Sequence, residues 1–140
     1  LFLRKEAAMN RVQFLLATAL VLVFTCAAQG AQKPAIPKYD TSTEVTLKGV
    51  VAEIKDFQCP ISGSLGAHLV LRLADGSTIE AHLAPVAFMK EFDIVINPGD
   101  QVELIGSKVM LDGAPTILAR QVNSNNYTYT FRSEQGRPLW

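Results

Sequence analysis

Between residues 44 and 122 the softest ligand chemistry in the chain is carried by one cysteine and two histidines, Cys59, His68 and His82. Thiolate sulfur with two imidazole nitrogens suits copper or zinc, and one imidazole alone can hold haem iron. Met89 or Met110 would supply a weak fourth ligand. The eight and then thirteen intervening residues match no compact metal motif, so only the fold can bring the three together. Each also has a plainer reading, because free Cys is among the most buried residue types and a single histidine on a strand is more often a surface residue than a ligand. A catalytic Cys-His pair needs a third group to orient the base, and none is evident, so the chain reads as non-enzymatic.

The elements that must position these residues follow from apolar periodicity. From Glu44 to Ile54 two interleaved rows are apolar on one side early and on the other side late. A strand that changes its buried face has to bend, and Gly49 is the expected bend or bulge. A loop over 56–66 containing Cys59-Pro60 follows. Leu69, Leu71 and Leu73 then face one way and His68, Val70 and Arg72 the other; after Asp75-Gly76-Ser77, Ile79, Ala81 and Leu83 oppose Thr78, Glu80 and His82. A two-residue Asp-Gly loop would send the apolar row to the wrong face. A three-residue loop with a glycine bulge pairs Leu73 with Ile79 and Leu71 with Ala81. That register sets Arg72 opposite Glu80 as a cross-strand ion pair and Val70 opposite His82, with His68 and His82 diagonal to each other on the outer face.

Val86, Phe88, Met89 and Phe92 recur at spacings of three and four, predicting a short helix over 85–94. Asn97-Pro98-Gly99-Asp100 is a turn, Val102 to Val109 a fourth strand bent at Gly106, and Asp112-Gly113 a turn into a fifth strand from Thr116 to Val122. The expected fold class is all-β with one short helix: a five-stranded OB-type Greek-key barrel over residues 44–122, whose second and third strands form the usual binding face. The stretch from Pro98 to Gly106 resembles small exported bacterial OB-fold domains, including the periplasmic stress-associated group and similar domains of unknown function. This resemblance implies a fold and no particular activity.

Residues 123–140 extend the barrel. Tyr127, Tyr129 and Phe131 alternate with threonines as a short strand would, and with Trp140 they form an interaction segment that either docks on a partner or covers a barrel edge.

At the other end, residues 9–30 pass from Arg11 through an apolar run at Phe14–Phe24 to small residues, the layout of a secretory signal cleaved after Gly30 or Ala28. The run is too short for a permanent membrane span. Residues 1–8 read as an upstream mis-start before Met9, and residues 31–43 as an extended tether. Cys26 offers an alternative as an acylated lipoprotein cysteine, against which Thr25 argues. The domain is therefore expected to be exported, periplasmic or secreted. From Ala31 onward ten Lys or Arg stand against twelve Asp or Glu, which leaves no basic footprint for nucleic acid. Two functions follow. One is a module binding a protein partner or small ligand through His68, Arg72, Glu80 and His82; the other is a copper- or zinc-binding protein using Cys59, His68 and His82.

Overall fold

The computed structural model describes residue 30 and residues 35–140. The expected mis-start, signal segment, Cys26 and the first part of the tether fall outside the described residues. Six strands follow a 3-10 turn at Thr41–Thr43: β1 (Glu44–Cys59), β2 (Ser64–Arg72), β3 (Thr78–Pro85), β4 (Gln101–Leu111), β5 (Ala114–Ser124) and β6 (Tyr127–Thr130). One short helix, α1 (Val86–Glu91), joins β3 to β4. Among the described residues no helix is long and apolar enough to cross a membrane.

The sheet order is β3-β2-β1-β4-β5-β6, and a parallel pairing of β3 with β5 closes the first five strands into a ring. This is the five-stranded barrel with one helix between its third and fourth strands that the periodicity predicts. Closure buries the inward rows of every strand in one core, which includes Val51, Leu69, Leu71, Ala81, Leu83, Leu104, Ile117 and Val122. Phe88 of α1 packs into the same core at one end of the ring.

The long first strand serves two partners. Its first half, Glu44 to Val50, pairs with β4, and its second half, Val50 to Cys59, pairs with β2. The change of buried face occurs at a bulge between Val51 and Glu53, not at Gly49. Gly49 is needed for a different reason: a Cβ there would stand 2.3 Å from the Arg72 carbonyl oxygen. At Gly106 the expected irregularity is present, as a register shift in the β4–β5 ladder between Ile105 and Gly106.

The expected loop over 56–66 is largely strand. β1 continues to Cys59, and β2 begins at Ser64 after a short turn that has Gly63 at φ +69°. The polar residues of this stretch sit on an exposed hairpin, which is why their composition reads as loop. The β2–β3 register keeps the predicted parity but is displaced, pairing Leu71 with Ile79, Arg72 with Thr78, Val70 with Glu80 and His68 with His82. The turn has the expected three residues but lies one position earlier, Leu73 bonding Ser77 across Ala74–Gly76. The predicted Arg72–Glu80 ion pair is therefore absent, and Glu80 pairs with Lys55 at 3.2 Å.

β6 folds back on β5 through Asn125-Asn126, both with positive φ. Phe131, just beyond it, has no exposed surface and belongs to the core, so it is not available to a partner. Tyr127 is exposed and stacks on Tyr129. Trp140 returns to pack edge-on against Phe88, 6.1 Å between centroids, and carries the Arg132 guanidinium 5.0 Å from its ring.

Candidate metal centre

His68 and His82 alternate with Leu69, Ala81 and Leu83 along β2 and β3, so their side chains leave the sheet on the face away from the core row. The sequence expectation was that this face is solvent-exposed. It is not: both imidazoles are buried, His68 completely. Three features cover them. The bulge in β1 turns Lys55, Phe57 and Cys59 to the same side, the Phe57 ring lies 3.7 Å from the His68 ring, and Trp140 lines the cavity beside them. The displaced register adds a fourth effect, because it sets the two histidines directly opposite each other with centroids 4.0 Å apart.

Cys59 ends β1 and meets these histidines from across the sheet. Its Sγ lies 3.1 Å from Nδ1 of His82, and one donor atom from each of Cys59, His68 and His82 falls within 4.8 Å of the others. All three residues are buried. A metal with sulfur at about 2.3 Å and nitrogen at about 2.0 Å would hold adjacent ligands roughly 3.5 Å apart. The 3.1 Å approach and the 4.8 Å ceiling on the remaining separations are compatible with that value.

The orientation of His68 is fixed from behind. Its Nδ1 lies 2.7 Å from Oε1 of Glu80, and the other carboxylate oxygen takes the Lys55 ammonium at 3.2 Å. Burial pushes the Glu80 carboxyl up, but the bonds to His68 and Lys55 outweigh it and hold the group below the usual carboxylate range. An ionised carboxylate only accepts, so Nδ1 of His68 is the donor of this bond. That Nε2 atom is buried and has no hydrogen-bond partner. A carboxylate behind an imidazole whose other nitrogen is free is the arrangement that orients histidine ligands in metal sites.

The Cys59 thiol is set by its neighbours as well. Burial pushes it up, yet the adjacent imidazoles of His68 and His82 and the Ser62 backbone outweigh burial and bring the thiol down to about 5. The thiolate is the form that binds metal.

The cavity among these groups is small, about 10 Å³, enough for one water-sized sphere. A haem does not fit inside this cavity. Neither expected methionine joins them: Met110 is exposed, and Met89 lines a separate cavity with Ile54, Val86 and Ile94. Arg72 is also elsewhere, beside Lys48, Gln101 and Glu103 at the far end of β2. A groove of about 300 Å³ reaches His82 from the outside between Phe57, Gln58, Pro60 and Thr116.

Sequence reasoning named the three donors and Glu80 but missed Lys55, Phe57 and Gly66. Gly66 is the least visible. A Cβ there would stand 2.8 Å from Cβ of Cys59 and 3.4 Å from Nε2 of His68.

Residues 43–129, more than half of the chain, match the family model described as the MamS/MamX magnetosome protein family. No curated protein matches the chain. The chain belongs to the MamS/MamX magnetosome protein family.

Proposed function

We propose that this member of a magnetosome protein family is an exported, non-enzymatic barrel that binds one copper or zinc ion through Cys59, His68 and His82. The observation that carries the reading is the meeting of three donor atoms at a buried point, one of which, Nε2 of His68, has no other partner. Leaving such an atom unpaired costs about 1–3 kcal/mol, which coordination would remove. Sulfur and imidazole donors favour copper or zinc over calcium or magnesium, which take oxygen ligands. With Phe57 stacked on His68 and Trp140 lining the cavity, this part of the β2–β3 face suits an ion better than a protein segment or a larger ligand. The family description supports a place at the magnetosome, and the apolar run of residues 14–24 supports export.

Elemental analysis of the full chain purified without chelator, beside a Cys59→Ser, His82→Ala double variant, tests this reading. Near-stoichiometric copper or zinc in the parent and none in the variant is the expected result. A parent that is metal-free and cannot be loaded with either ion overturns it.

A further inference from the structure

The centre has an electrical balance as well as a set of donors, and that balance discriminates between the two metals. Resting on the metal-site reading above, we infer that the ion is monovalent copper, held in three-coordinate form by Cys59, His68 and His82. Coordinating imidazoles are neutral, so the formal charge of the donors is the single negative charge of the Cys59 thiolate. Glu80 adds nothing, because Lys55 already matches it at 3.2 Å. Cu(I) would make the buried centre neutral, whereas Zn(II) would leave one positive charge without a counter-ion. An uncompensated buried charge is among the most costly arrangements a protein can hold.

Coordination number points the same way. Structural zinc is almost always four-coordinate, and catalytic zinc completes three protein ligands with water. Here the described residues supply three donors, since Met89 and Met110 lie elsewhere. The cavity of about 10 Å³ among the donors holds no more than one water-sized sphere, so any further ligand would have to enter from the groove beside His82. Thiolate sulfur admits Cu(I) and zinc alike, so the choice between them rests on charge and coordination number. Gly66 bears on this as well: with Ser62 Oγ and Cys59 Cβ each 2.8 Å from where its Cβ would be, the wall on that side is already closed.

Anaerobic titration of the full chain with Cu(I), and separately with Zn(II) and Co(II), tests the inference, with X-ray absorption on the copper form. One Cu(I) per chain with one sulfur and two nitrogen neighbours and no oxygen is expected, while Zn(II) and Co(II) at one equivalent are removed by dialysis. One-for-one loading of zinc or cobalt in a four-coordinate site overturns the inference and leaves the metal site standing. Failure of all three ions to bind overturns the metal reading itself. Lys55→Met probes the charge argument without touching a ligand. With Glu80 unmatched, zinc retention relative to Cu(I) should rise on the order of tenfold. Lys48→Met, whose partner is Glu103, should leave the ratio unchanged. A ratio that does not move in Lys55→Met, or moves equally in both variants, overturns the inference.

Discussion

Cys59 and His82 meet across a strand that belongs to neither of them: Sγ and Nδ1 are 3.1 Å apart although β2 runs between β1 and β3. Backbones two strands apart in a sheet stand roughly 9–10 Å apart. The two side chains therefore lean toward each other over β2, and β2 offers Gly66 where a larger residue would block Cys59.

Gly66→Ala should break that approach. Ser62 Oγ can rotate away from a new methyl group, but Cβ of Cys59 is fixed by the strand end, 2.8 Å from it. We expect a loss of about 1–3 kcal/mol of stability from overpacking. We also expect loss of stoichiometric metal. Urea denaturation with elemental analysis checks both; full metal retention would show that Cys59 is not positioned through Gly66.

Glu80→Ala removes the acceptor that sets the His68 tautomer. Loss of such a partner typically lowers metal affinity about 10–100-fold, and the core row of β3 is untouched by the change. Nitrogen-15 shifts of the metal-free His68 ring give an independent measure. The parent should have a protonated Nδ1, and the variant a mixture of tautomers. A pure Nδ1–H form in the variant would show that Glu80 is not the orienting group.

A second cluster governs stability at the extremes of pH. The Tyr39 hydroxyl donates to Glu44, and Arg120 donates to the same carboxylate at 2.9 and 2.8 Å. Burial and the Glu44 carboxylate push the tyrosine from 10.0 up to about 12. The folded state then holds this proton more tightly than the unfolded chain, so the contribution is complete below pH 10 and is lost as pH rises toward 12. Glu44 behaves oppositely. Arg120 holds its carboxyl below the usual range, so its contribution is present above the unfolded value of about 4.3 and is lost as pH falls through the folded value. Urea midpoints across pH should trace both limbs. Tyr39→Phe should flatten the alkaline limb alone, and an unaltered alkaline limb in that variant would exclude Tyr39 as its source.

The aromatic extension divides by burial. Phe131→Ala empties a fully buried site near Phe88 and should cost about 3–5 kcal/mol. Tyr127→Ala, at a residue that is 65% exposed, should stay within about 0.5 kcal/mol. Denaturant midpoints of the two variants decide the matter, and equal losses would mean that Tyr127 packs as core.

The barrel was legible because period-two rows name a buried face wherever one side of a strand meets a core, as in Leu69–Leu71 and Ile79–Ala81. The register was less legible. Parity excludes odd displacements but cannot tell Leu71 opposite Ile79 from Leu71 opposite Ala81, since both keep leucine inside. That displacement of two residues cost the Arg72–Glu80 pair and hid the Lys55–Glu80–His68 chain. Burial of the histidines was illegible for another reason: their cover comes from Phe57, read as loop, and from Trp140, far along the chain.

The bulge after Val51 has a consequence for how such a protein can diversify. Upstream of it, Val45, Leu47 and Val51 serve the hydrophobic interior; downstream, Lys55, Phe57 and Cys59 face the candidate site. One continuous strand thus carries two vocabularies separated by a single extra residue. Substitutions at 55, 57 and 59 would alter the candidate site while the barrel kept its shape, and deletion of Ala52, which the ladder skips between the Val51–Leu71 and Glu53–Val70 pairs, would leave both rows on their present faces.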